Sequence, residues 1–294
     1  MGTLIVMAYP TKLFAKAADH TYVTCGTGKK GWGCWGGKKG GKELRRGTGS
    51  TKRADKIAQP NEKAGIKCYL VNGVCHQAAN RILLPAGITV RGARGYNVSE
   101  ALYGTYGRVG SWPCKSPFKK YSSVNGDLPK CVPEAAEGAA AAPSARVLST
   151  GDKLDWQYIQ GVLKIYKSGQ AMLKAESLAT DEVEDFHLKL FMYMAEFHLG
   201  AMLDKKLSSN LEKVRLKTEK KRLKTETAFA KDKMKAKEFV QAINKATIDF
   251  QNEMANVMAP EHYESLFELK PGDNVVLADP SIVSEVFGVK FKSD

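Results

Sequence analysis

The chain has 294 residues, with 45 Lys and Arg against 31 Asp and Glu and a net charge of +14. No apolar run approaches the ~18–20 residues of a membrane span, and residues 4–8 are too short and too soon followed by Pro10 and Lys12 for a signal-peptide core. Residues 1–133 hold 22 basic and 6 acidic residues, net +16, and the remainder hold 23 and 25, net −2, so the whole excess belongs to the first part. It favours anionic partners: nucleic acid, cell-wall polymers, acidic membrane surfaces or the chain's own acidic segments. The compartment stays open between a cytoplasmic protein and one exported without a recognisable signal peptide.

In chain order, residues 3–9 read as a first strand and Asp19–Cys25 as a second. Gly26–Gly31 reads as the hairpin connection and Trp32–Trp35 as the return strand. Gly36 to Arg53 has no core pattern and reads as an exposed basic loop. Within it, Gly36–Lys42 comes close to a phosphate-binding loop, but Glu43 stands where the hydroxyl belongs and no helix pattern follows. Residues 54–63 read as a short helix or loop.

The next stretch, Cys68–Leu84, organises the chain. Cys68 to Val71 is apolar and strand-like, and Asn72-Gly73 is a strong turn signal. From Val74 the apolar spacing becomes helical, and Pro85 ends it. Cys75 therefore opens a helix, where unpaired N–H groups and the dipole stabilise a thiolate. Beyond it, Arg91–Asn97 reads as a solvated turn or an RNA-contacting loop, 98–106 as a short helix or strand, and 107–133 as irregular. Cys114 and Cys131 flank a Pro/Ser/Gly-rich loop and are the first choice for a bridge in an exported protein; reduced thiols are equally open.

Residues 134–146 form an Ala/Pro-rich linker between a basic domain, 1–133, and a helical domain, 147–294. In the latter, Trp156, Ile159, Leu163 and Tyr166 mark one helical face, and Val183, Phe186, Leu190, Met194, Phe197 and Met202 mark the next. A long charged helix, continuous or interrupted, spans 207–259, Lys-rich in its first half. Pro260 ends it, Tyr263–Phe267 is helical, Lys270–Asp273 is a turn and Asn274–Leu277 is extended.

A nucleophilic cysteine needs a base. Of the five histidines, His76 is adjacent to Cys75 and diverges from it on a helix, whereas His20 begins a strand that can present it to the helix N-terminus. The Cys75 N–H, with Gln77 or Asn72, is the candidate oxyanion support. Asp19-His20-Tyr-Val followed by Asn72-Gly-Val-Cys75-His-Gln-Ala-Ala-Asn80 resembles the circularly permuted papain-like enzymes: NlpC-type peptidases and lecithin-retinol acyltransferase-like proteins. The resemblance covers roughly residues 4–106. It implies an α+β fold, an N-terminal domain whose central Cys-bearing helix packs on an antiparallel sheet, followed by the mostly helical domain. It also implies thioester chemistry with Cys75 and His20 as the catalytic pair, no cofactor, and a third polar residue on the strand after the histidine. That strand offers only Trp32, Cys34 and Trp35; Glu43 or Gln59 are loop substitutes, and Cys34 is available to pair with Cys25.

Three functions are expected on these grounds. The first is a cysteine peptidase or amidase acting on an anionic substrate such as peptidoglycan, as a bacterial wall enzyme or toxin. The second is a thioester-based acyltransferase, and the third a nucleic-acid- or anion-binding module carried by the basic loop with Arg91 and Arg94. The helical domain is expected to serve assembly or regulation, and cleavage of the linker would then release an inhibited enzyme. Glu184-x-x-His187, with Glu196 and His198, gives a carboxylate-imidazole spacing seen in metal bundles, but only once where such bundles need it twice; no metal is expected.

Overall fold

Leu4, Val6 and Ala8 alternate inward along β1 (Gly2–Tyr9) and place the first wall of the core. The computed structural model describes residues 1–11, 17–28, 30–33, 35–58, 63–108, 111–113, 123–125, 150–174 and 180–289; for 63, 111–113, 123–125, 150–154, 169–174 and 180–185 it describes the backbone alone. β1 pairs antiparallel with β2 (His20–Cys25), Tyr9 standing opposite His20. On its other side it pairs with β4 (Lys42–Gly49), through a bulge between Val6 and Met7. β3 (Gly31–Trp32) adds to β2, and the sheet runs β3-β2-β1-β4. A separate pair joins β5 (Ser111–Pro113) to β6 (Ser123–Asn125).

The chain then turns to helices: α1 (Thr51–Ile57), α2 (Cys75–Leu83), α3 (Tyr96–Tyr103), α4 (Thr150–Lys174), α5 (Thr180–Leu199), α6 (Lys205–Ala230), α7 (Ala236–Val257), α8 (Pro260–Phe267) and α9 (Pro280–Phe287). The fold class is α+β, as expected. Every residue of α2 is buried, although four of its nine are His76, Gln77, Asn80 and Arg81. Each is matched by a partner, as burial of polar groups requires. Asn80, for example, donates to the Tyr96 hydroxyl and the Thr105 carbonyl and accepts from the Val90 N–H.

Several elements differ from the sequence reading. The basic stretch 36–53 is not all loop: β4 is an edge strand, and Ser50 caps α1 by accepting from the Arg53 N–H at 3.2 Å. Residues 68–71 are not a strand but part of a compact turn, in which Leu70 takes a left-handed conformation (φ +65°). Of the two forms left open for 207–259, the structure shows the interrupted one, two helices. They lie antiparallel, joined across residues 231–235 and cross-linked by Lys217–Glu253 and Lys221–Asp249. The linker 134–146 lies outside the described residues.

The first half of that stretch is not simply a solvated Lys-rich helix. Its lysines face out, while Arg215, Glu219, Arg222 and Glu226 are buried against the N-terminal half. Arg108 bridges Glu226 (2.8 Å) and Glu219. Arg215 holds Glu219 at 2.8 Å and donates to the carbonyls of Ala101 and Leu102. Arg222 packs its guanidinium 4.3 Å from the Tyr103 ring centroid and reaches the Leu70 carbonyl. The Arg108 and Arg215 cations hold the Glu219 carboxyl well below the usual range against the opposing effect of burial. Apolar side chains of both halves meanwhile form one continuous core.

Arginine suits this role because its planar fork satisfies several acceptors at once. Removing one member strands buried charge. Arg108→Met is expected to lower the unfolding free energy by about 3–5 kcal/mol, read from urea unfolding of the variant against the parent chain.

Candidate active site

Cys75 is the first residue of α2, with Val74 as the cap. The turn before it is fixed at every point. The Val71 and Asn72 carbonyls accept from Arg108, and the Leu70 carbonyl accepts from the Tyr103 hydroxyl at 3.0 Å. Asn72 accepts from the Cys68 N–H and donates to the Gly65 carbonyl. Gln77 accepts from the Val74 N–H and donates to the Ser99 hydroxyl and the Gly104 carbonyl. Both are wholly buried. Their amides are thus engaged in building the turn and cap, at the two residues from which the sequence leads one to expect oxyanion support.

β2 brings His20 to this helix end. The residue is 1 % exposed, and its imidazole is coupled electrostatically to both Cys75 and Asp279. Cys75 is 5 % exposed, with Sγ 3.9 Å from the Asp19 carbonyl. His76 points elsewhere: Nε2 donates to the Asp19 carbonyl at 2.9 Å and Nδ1 meets the Ser99 hydroxyl at 2.8 Å. Burial, opposed by that backbone bond and aided by the nearby His20, lowers His76 to about 4, so it is neutral.

The third polar group comes from the far end of the chain. Asp279 Oδ2 lies 3.4 Å from His20 Nδ1. Asp279 is also the N-cap of α9, its Oδ1 accepting from the Ser281 N–H at 2.8 Å and hydroxyl at 2.6 Å. One carboxylate thus divides its oxygens between a helix cap and the imidazole. The His20–Asp279 approach is an ion-pair contact, since neither ring nitrogen has an aligned hydrogen bond.

The segment that delivers Asp279 is stitched down residue by residue. Gln251 on α7 both donates to and accepts from the Val275 backbone, at 2.7 and 2.9 Å. The Val276 carbonyl accepts from the Ala18 N–H at 2.9 Å, two residues before His20. The Tyr69 hydroxyl donates to the Leu277 carbonyl at 3.1 Å and accepts from the Asp279 N–H at 2.9 Å. The expected supply of the third residue from the strand after the histidine, or from Glu43 or Gln59, is therefore corrected in favour of Asp279. Glu43 is held by Arg46, and Gln59 lies outside the described residues.

A wall closes over His20. The Tyr9 ring sits 4.8 Å from it, and the Tyr9 hydroxyl donates to the Gly37 carbonyl at 3.2 Å. Gly36 has φ +73°, and a Cβ there would stand 2.9 Å from His20 Cε1 and 3.3 Å from Ile282, so the position admits no side chain. Burial, reinforced by the negative neighbours, pushes Tyr9 up to about 12.

Other candidates resolve differently. Arg91 is bound to Asp155 and stacks over Phe197 and Tyr158, and Arg94 donates to the Ala17 carbonyl. This corrects their assignment to an RNA-contacting loop. Cys25 keeps its thiol, 3.1 Å from the Thr27 hydroxyl, so the bridge to Cys34 is not formed; Cys68 is in a disulfide, and Cys114 and Cys131 lie outside the described residues. Glu196 is exposed while His198 faces Arg91, and among the described residues no cluster of three or more metal-ligating side chains forms. Among these residues, too, no helix is long and apolar enough to cross a membrane.

Comparison with family models, with curated proteins and with solved structures found no match.

Burial works against a charged His20, but its contacts with Asp279 and Cys75 prevail and raise it from 6.5 to about 10. Asp279 is correspondingly held below its ordinary 3.8, burial opposing and His20 and Ser281 outweighing it. Protonated His20 therefore contributes stability fully below about pH 6.5, and the contribution is lost as pH rises through about 10. Ionised Asp279 contributes above its ordinary value, and the contribution is lost as pH falls through the depressed one. Thermal melts across pH should show Asp279→Asn losing stability most between these limits, with its alkaline decline moved to lower pH. Tyr69→Phe leaves a buried N–H and carbonyl without their shared partner, and should cost about 1–3 kcal/mol in the same melts.

Proposed function

We propose that the protein is a cysteine hydrolase, a peptidase or amidase, acting through a thioester formed on Cys75. The observation that carries this reading is the convergence of Cys75, His20 and Asp279 from three distant parts of the chain at one helix N-terminus. A structural cysteine has no need of an imidazole backed by a carboxylate, and such constellations are recognised by geometry and roles. The arrangement also suits the permuted papain-like enzymes, in which the histidine strand precedes the cysteine helix.

In the proposed mechanism, Asp279 orients the ring through Nδ1 and favours the imidazolium. His20, held protonated by these contacts, carries the proton given up by the Cys75 thiol. The thiolate attacks the substrate carbonyl, and the oxyanion meets the Cys75 N–H at the positive end of α2. As the C–N or C–O bond breaks, His20 returns the proton to the leaving group. Water, activated by His20, then hydrolyses the thioester and regenerates the thiol. An amine or alcohol acceptor in place of water would give the acyltransferase reading from the same intermediate.

Peptide mapping after iodoacetamide treatment at mildly acidic pH tests the assignment without a known substrate. Selective labelling of Cys75, abolished in Cys75→Ala and lowered about 10²–10⁴-fold in His20→Ala, is the expected result. Asp279→Asn should lower the rate less and shift its pH profile, because it removes the group that orients the ring. Labelling of Cys75 no faster than that of a small-molecule thiol would overturn the reading.

A further inference from the structure

The Gly36–Lys42 segment, Gly-Gly-Lys-Lys-Gly-Gly-Lys, has no acidic residue and three lysines. It is not a free basic loop. Gly36 lies against the His20 imidazole, and its N–H donates to Glu285 on α9 at 3.1 Å. The Gly37 carbonyl is held by Tyr9, whose ring packs at a tilt against His20, and the Gly40 carbonyl accepts from the Tyr22 hydroxyl at 2.7 Å. Gly41, at φ +84°, passes so close to the Ala8 carbonyl that a Cβ would overlap it. Four backbone anchors thus fix the segment beside the imidazole.

The lysines point to a use for this placement. Lys38, Lys39 and Lys42 are exposed, and none has a carboxylate partner among the described residues. By contrast, the neighbouring Arg45 and Arg46 are paired with Asp155 and Glu43. The stem of Lys38 runs along β3, its Cβ 3.2 Å from where a side chain on Gly31 would begin and its Cε 3.6 Å from the same point on Gly33. Side chains on those glycines would displace it. Lys38 is two residues from Gly36, so its Cα lies within about 8 Å of the residue touching His20.

We infer that Lys38, Lys39 and Lys42 form the specificity surface of this site and select an acyl donor that carries a carboxylate next to the bond to be broken. This rests on the cysteine-hydrolase reading and names its substrate class: acidic peptides or amides. The segment is followed by an edge strand, not a helix, so it offers no ring of helix-terminal amides for a phosphate. What it presents are exposed ammonium groups, compact point charges that attract a carboxylate.

Two alkylating reagents separate this inference from the reading beneath it. Iodoacetate carries a carboxylate and iodoacetamide does not, while in both the same cysteine sulfur attacks the CH2 carbon and displaces iodide. The readout is the ratio of their second-order rates at Cys75 in the full chain, divided by the same ratio for N-acetylcysteine. The expected ratio exceeds one, falls on the order of fivefold in Lys38→Gln/Lys39→Gln/Lys42→Gln and falls further in Lys38→Glu/Lys39→Glu. In the unaltered chain it should also fall as salt is raised from 0.02 to about 0.5 M. A ratio unmoved by the lysine changes overturns the inference and leaves the cysteine reading intact. Failure of both reagents to label Cys75 above the reference thiol overturns both.

Discussion

A carboxylate that must face a buried imidazole has to be carried there by backbone that is itself fully satisfied, because neither group tolerates loose solvent-filled surroundings. The Tyr69 hydroxyl supplies that condition at the decisive point, joining the turn before Cys75 to the segment bearing Asp279. Its position depends in turn on a left-handed Leu70, whose carbonyl is held by Tyr103 and Arg222. The helical half is therefore not an appendage to the sheet. Through Arg222 it shapes the turn before Cys75, and through Asp279 it supplies the carboxylate that faces His20.

The same dependence explains why charge is buried here on such a scale. The turn ahead of α2 points carbonyls inward with no strand to receive them. Guanidinium groups reach from α6 and from Arg108 to meet those carbonyls, and glutamates on α6 balance the cations. Buried pairs of this kind add little net stability over an apolar core but specify one arrangement. In this molecule the specified arrangement is the register of the helical half on the cysteine turn.

How much of this the sequence discloses follows from how local each cause is. The helix opening at Cys75 and the strand opening at His20 are legible from spacing and turn chemistry within about ten residues. β4 escapes because an edge strand with charged side chains on a half-exposed surface lacks the alternation that marks its neighbours. The turn at 68–71 is mistaken for a strand because what holds it is distant in sequence: Trp35 and Leu277 on Tyr69, Tyr103 and Arg222 on Leu70, and Arg108 on Val71. In α6, lysine and arginine look alike as charges, yet the lysines face solvent and the arginines are interior. Asp279 did leave a trace: Asp-Pro-Ser is a helix N-cap signature with proline in the first turn. Nothing local reveals that the second carboxylate oxygen has another partner.

Asp279 lies near the far end of the chain from His20, and this bears on the order in which the molecule is made. Cys75 and His20 leave the ribosome early, but Asp279 follows some two hundred residues later. At roughly 5–20 residues per second that interval is on the order of 10–40 s. Throughout it the nascent polypeptide displays a cysteine and a histidine without the segment that aligns them, nor the helices whose arginines set the cysteine's turn. Synthesis thus imposes its own delay on bringing these three side chains together, and a ribosome stalled before residue 279 leaves the cluster incomplete.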